Sequence, residues 1–147
     1  MKNQTSTPSF SAKSNCSAPV SLHQLVNRLQ AGLLPQAISK RSIIINDIAK
    51  TLFVSADEDI LAFILGSLIS NAVYSTSNCC IRVEAISREG CIQIQVKNNG
   101  VFIYSSLMHS LGHIADAARK LEGSICLQNE SNSGITVGLS LVPKRAA

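Results

Sequence analysis

Three small groups of residues in this chain have the types and spacing that chemistry asks for. His109 and His113 stand four apart, which places two imidazoles on one helix face as a metal pair would need, but no third ligand accompanies them. They read as solvated or capping side chains. Cys79 and Cys80 are adjacent, as a redox pair can be, yet neighbours on a strand point to opposite faces. They read as structural thiols. Ser67 and Asn71, again four apart, interrupt an otherwise apolar helical stripe and share its polar face, and Asn98-Asn99-Gly100 follows an alternating strand, where Gly100 permits a turn with positive φ.

The elements that must hold these groups follow from hydrophobic spacing. Residues 1–19 are rich in Ser, Thr and Asn with little to bury, and are expected to form a disordered arm. Leu22, Leu25, Val26, Leu29 and Leu33 recur at intervals of three and four, so a helix is expected from an N-cap at Ser21 to about Ser39. Ile43-Ile44-Ile45 and Leu52-Phe53-Val54 look like a pair of strands. Asp57 should cap a second helix with Glu58 and Asp59 in its first turn and Leu61, Ile64, Leu65, Leu68 and Ala72 as its buried stripe.

Alternation then predicts a β-hairpin, with Ile81, Val83 and Ala85 facing Ile92, Ile94 and Val96 across an Arg88-Glu89-Gly90 turn. Leu107, Leu111, Ile114, Ala118 and Leu121 mark a third helix that Gly123 should stop. A second hairpin closes the domain, turning at Asn132-Ser133-Gly134 and running through Ile135, Val137, Leu139 and Leu141 to Pro143. Strands apolar on one face need helices on that face only. The expected fold is a two-layer α/β sandwich, a mixed, mostly antiparallel sheet with about three helices on one side. The domain is expected over 20–143, with 144–147 as a tail.

Composition narrows the function. The chain has 147 residues, 46% of them apolar and 15% charged, and its longest apolar run is too short to span a membrane. Lys2, Lys13, Lys144 and Arg145 account for the whole formal excess of +4, and aromatics are 4% with no Trp, so nucleic-acid binding is not expected. The five cysteines, Cys16, Cys79, Cys80, Cys91 and Cys126, form no CxxC; free thiols in a reducing cytoplasm are the simplest account. No secretory signal is evident at the N-terminus.

From about Val20 to Pro143 the chain resembles the ATP-binding catalytic domain of sensor histidine kinases, in the histidine-kinase-like ATPase superfamily. Two segments carry the likeness beyond element order. Leu65 to Thr76 is similar to the family's N box, and Ile92 to Ile103 to the strand that enters its first glycine box. The resemblance implies that Asn71 occupies the position of the Mg²⁺-coordinating asparagine, a hard oxygen ligand. Ser67 stands where the family has Asn or a general-base Glu, and Tyr74 where it has Lys or Arg.

Elsewhere the implied nucleotide contacts are altered together. Asn98 takes the place of the adenine-binding Asp and still offers an acceptor, Gly100 remains, and Phe102 replaces the second glycine. Tyr104 to Gly112 corresponds to the lid but is short, with one glycine and no Lys or Arg to hold phosphates. Ile135 falls on the position of a supporting Thr, while Thr136 turns to the other sheet face. The implied cofactor-binding residues are thus Asn71, Asn98 and Gly100, with Asn71 the metal ligand, should Mg-ATP bind at all.

The expectation is a degenerate ATPase domain without competent hydrolysis, working through contacts with a histidine kinase, a response regulator or a second copy of itself. One rival keeps weak Mg-ATP binding, with a partner supplying the phosphoacceptor helix. A second rests on His23, Asn27 and Gln30, whose HxxxNxLQ spacing is similar to a phosphoacceptor helix and would make the chain a phosphotransferase.

Overall fold

The structure is a computed structural model that describes residues 19–99, 104–130 and 134–142. Ten elements follow in order: β1 (Pro19–Ser21), α1 (Leu22–Ser39), β2 (Ile43–Asp47), β3 (Phe53–Ser55), α2 (Glu58–Ser75), β4 (Cys80–Arg88), β5 (Cys91–Asn98), α3 (Tyr104–Lys120), β6 (Gly123–Glu130) and β7 (Gly134–Leu141). The expected tail, Pro143, and most of the expected arm and second turn lie outside the described residues.

A five-stranded mixed sheet runs in the order β2-β4-β5-β7-β6, with β2 parallel to β4 and the other pairs antiparallel. One face is apolar. Ile81, Val83, Ile94, Val96, Val137 and Leu139 are buried there against Leu25 and Val26 of α1, Ile64, Leu65 and Leu68 of α2, and Ile114 and Ala118 of α3. The other face carries an ion-pair ladder in which Arg82 meets Asp47 at 3.1 Å and Lys97 meets Glu84 at 2.9 Å. The two-layer sandwich expected from the alternation is the observed architecture.

α2 lies between its neighbours and is buried on more than one side, because it packs on α1, α3, β4 and β5 together. Its N-terminus is fixed by Asp57, whose carboxylate accepts from the backbone N–H groups of Asp59 and Ile60. Ser21 does the same for α1, accepting from the N–H of Gln24. The first hairpin turns through Glu89 and Gly90, both with positive φ, the pairing that suits the twist of two-residue hairpins.

Several details depart from the sequence reading. β2 and β3 do not pair with each other; β2 joins the main sheet beside β4, whereas β3 pairs antiparallel with β1 in a separate two-stranded sheet. β1 itself begins at Pro19, inside the stretch assigned to the arm. The residue that ends α3 in a left-handed conformation is Glu122, and Gly123 instead opens β6, where a Cβ would come within 2.5 Å of the Ser140 carbonyl oxygen. α3 starts at Tyr104, so the stretch assigned to a shortened lid is the first half of a helix.

Candidate functional site

The residues singled out by the N-box and glycine-box likeness come from α2, the end of β5 and the start of β7. On α2, Ile60, Phe63, Ser67, Asn71 and Tyr74 recur at three and four, so they form one stripe along the helix. The lower part of that stripe faces α3. There Asp59, Ile60 and Phe63 line a cleft of about 410 Å³ with His113, Asp116, Ala117 and Lys120. Ser67 and Asn71 are half-buried farther along, and Tyr74 is 52% exposed. The Ser75 hydroxyl donates to Asn71 Oδ1 at 3.2 Å, so the oxygen a cation would use already accepts within the helix.

Asn98 is the last residue of β5 and only 4% exposed. It stands between Ile81 of β4 and Ile135 of β7 in the ladder, both buried. Thr136 pairs with Lys97 and Gln128, so strand alternation places it on the opposite sheet face from Asn98, as the sequence register requires. The next asparagine is structural. Asn99 Oδ1 accepts from the backbone N–H of Cys80 at 2.9 Å and fastens the end of β5 to the start of β4.

Five residues, 99–103, connect β5 to α3. No Lys or Arg occurs between Asn98 and Arg119, so this stretch itself brings no lysine or arginine to a phosphate. Gly100 and Phe102 fall in this connection, outside the described residues. The side chain of His109 lies outside them too, while His113 is exposed on α3 and, among the described residues, no cluster of three metal-ligating side chains forms.

His23 is tied to the turn after β2. Its Nδ1 lies 2.7 Å from the Ile48 carbonyl oxygen, which fixes the proton on Nδ1 because a carbonyl can only accept. Asn27 Oδ1 accepts from Asn46 Nδ2 at 2.7 Å, and Gln30 Nε2 donates to the Ile44 carbonyl at 3.0 Å. All three polar residues of the HxxxNxLQ spacing therefore tie α1 to β2 and the turn after it. Sequence spacing missed this use, and the only available signal was that Asn46 and the isoleucines of β2 must be covered by something.

The cysteines are placed as expected for thiols. Cys79 is buried, with its Sγ 2.8 Å from Thr76 Oγ1 and 3.7 Å from Ser42 Oγ, whereas Cys80 pairs with Ile43 on the sheet's other face. Cys79, Cys80, Cys91 and Cys126 are free. No described helix is long and apolar enough to cross a membrane.

No protein-family model and no curated protein matches the chain by sequence. Solved structures match by shape. Acinetobacter baumannii histidine kinase AdeS superimposes with a TM-score of 0.76 at 12% identity, covering 87% of this chain and 68% of that one. The catalytic domain of histidine kinase ThkA gives 0.75 at 18%, covering 86% and 98%, and ThkA has also been solved in complex with the response regulator TrrA. Full-length ShkA, solved with AMPPNP, gives 0.75 at 21%, covering 88% of this chain and 32% of that one. At these identities the likeness establishes the fold, that of histidine-kinase catalytic domains.

Proposed function

We propose that the chain is a histidine-kinase-like ATPase domain that lacks competent ATP hydrolysis and phosphotransfer and acts through protein contacts in two-component-type signalling. The observation that carries this reading is the corner where β5 meets β7 and α3. Asn98 stands in place of the adenine-binding carboxylate, Ile135 lies opposite it, and five residues without a cation lead into α3. Adenine recognition and phosphate binding are weakened at once. A phosphate site in this fold needs donors and positive charge at that corner, and the residues present do not fit the nucleotide.

A protein partner is supported by analogy with ThkA, whose complex with a response regulator joins the same fold to a signalling protein. A histidine kinase, a response regulator or a second copy are the candidates, acting in the cytoplasm where thiols stay reduced. Asn71 supports a second reading. It remains at the Mg²⁺ position and is half-buried rather than sealed in, which suits weak Mg-ATP binding with the histidine helix supplied by a partner.

Calorimetric titration of the chain with AMPPNP and Mg²⁺ separates the two. The preferred reading expects no saturable binding below millimolar nucleotide. Micromolar binding that Asn71→Ala abolishes would overturn it in favour of the second.

A further inference from the structure

β6 is an outer strand of the main sheet, so the backbone N–H and C=O groups that it does not spend on β7 face out along one edge. Sheet edges in stable monomers are guarded against added strands by a short length, a bulge, a proline, a lysine or a covering element. β2, at the opposite edge, is guarded. It is five residues long, and α1 takes up its polar groups, with Gln30 Nε2 donating to the Ile44 carbonyl at 3.0 Å and Asn46 Nδ2 donating to the His23 carbonyl at 2.9 Å. β6 is not. It runs eight residues without Pro, Lys or Arg, and its register with β7 is unbroken from Gly123 opposite Leu141 to Glu130 opposite Gly134. Among the described residues, no side chain of another element bonds to it.

The two faces of β6 limit what can add there. Ile125 and Leu127 lie on the helix side, opposite Leu139 and Val137, but are only half-buried, whereas Ser124, Cys126 and Gln128 are exposed on the other face. An added strand must therefore bring two apolar side chains two residues apart. The chain's own ends do not supply them, because residues 1–18 have no large apolar residue besides Met1 and Phe10, and residues 143–147 have none. β6 itself does. When two copies pair antiparallel, apolar meets apolar only if the two-fold axis passes through a residue. An axis at Cys126 sets Ile125 against the partner's Leu127 and Leu127 against the partner's Ile125. An axis at Ile125 would leave Leu127 facing Gly123, and one at Leu127 would leave Ile125 facing Asn129.

We propose that two copies of this chain pair β6 with β6, antiparallel about a two-fold axis at Cys126, and so join their five-stranded sheets into one. This selects the second copy as the partner in the protein-contact reading and rests on that reading. The new ladder satisfies the outward backbone groups from Gly123 to Asn129 and covers Ile125 and Leu127 of both copies. It also sets Glu122, the residue before β6, opposite the partner's Glu130 at each end, a like-charge contact that salt screens.

The test is sedimentation equilibrium of the full chain and of two variants at the exposed central position. The wild type is expected to dimerise at micromolar concentration and to do so more tightly as NaCl rises. Cys126→Lys and Cys126→Glu should each be monomeric with unchanged far-UV circular dichroism, because identical charges then face each other across the axis. An equimolar mixture of the two should dimerise about tenfold or more tightly than either alone, a rescue that requires position 126 to face itself. A monomeric wild type, a dimer that Cys126→Lys leaves intact, or variants that stay monomeric when mixed would overturn the proposal. So would a wild-type monomer that dimerises once residues 1–18 are removed, since the edge would then belong to that segment. Micromolar AMPPNP binding would sink the non-catalytic reading without touching the pairing, and a monomeric wild type would sink the pairing without restoring a nucleotide site.

Discussion

Asn98 and Ile135 stand directly opposite each other across the β5–β7 ladder, both almost fully buried and both on the helix-covered side of the sheet. A polar side chain that a nucleotide would need is thus paired with hydrocarbon that belongs to the core. Under the proposed non-catalytic reading, restoring hydrogen-bonding chemistry at this pair alone does not rebuild a site, because the sequence that follows brings no Lys or Arg before Arg119.

Ile135→Thr with Asn98→Asp is therefore expected to leave the chain unable to bind AMPPNP and Mg²⁺ at micromolar concentration. Ile135→Thr on its own should destabilise the fold by about 2 kcal/mol, from lost methylene burial and a buried hydroxyl. Urea unfolding followed by circular dichroism reads the second outcome, and calorimetry the first. Micromolar binding by the double variant would mean that the corner is short of only two groups.

Gly134→Ala should be among the most damaging substitutions in the second hairpin. Gly134 has φ +94°, and a Cβ there would come within 1.8 Å of the Asn98 carbonyl oxygen, a backbone atom that cannot swing aside. A loss of at least about 2 kcal/mol is expected, seen as a lower urea midpoint with an unchanged slope. Gly138→Ala is the control. Its added methyl would find its nearest neighbours at 3.7 to 3.9 Å, ordinary contact, so the midpoint should hold or rise slightly.

His23→Ala is expected to lower stability by about 1 kcal/mol, because the imidazole's bond to the Ile48 carbonyl fastens α1 to the turn after β2. That bond leaves the lone pair on Nε2, so phosphotransfer through this residue is tested directly. Incubation of the wild-type chain with a phosphorylated response regulator should leave no acid-labile label. A label that vanishes in His23→Ala would restore that reading.

What the sequence made legible was whatever depends on neighbours along the chain. Ile81, Val83, Ile92, Ile94 and Val96 alternate because one sheet face is dry, and Ser21 and Asp57 announce helix starts because their oxygens reach N–H groups two or three residues on. Long-range choices were not legible. Nothing within Ile43–Asp47 says that it pairs with β4 rather than β3, since a three-isoleucine run suits either, and β1 exists only because β3 offers it an edge. Of the site, Ile135 and Thr136 fell on the correct faces, since period two fixes them. The uses of His23, Asn27 and Gln30 escaped because their acceptors and donors lie 14 to 25 residues away.

Gly32→Ala is expected to stabilise the fold by about 0.5–1 kcal/mol. Alanine reduces the conformational freedom of the unfolded chain and suits a helix interior, and at this exposed position the new methyl meets nothing within 4 Å, so no packing term opposes the gain. Gly66→Ala, in α2, is the informative contrast: its methyl would sit 3.4 Å from Leu29 Cδ2 at the α1–α2 contact, the near limit of ordinary contact, so there, unlike at Gly32, a neighbour limits the gain. Parallel urea titrations should therefore raise the midpoint clearly for Gly32→Ala and less for Gly66→Ala. A loss of stability at Gly32 would mean that the second half of α1 is packed against something within the chain.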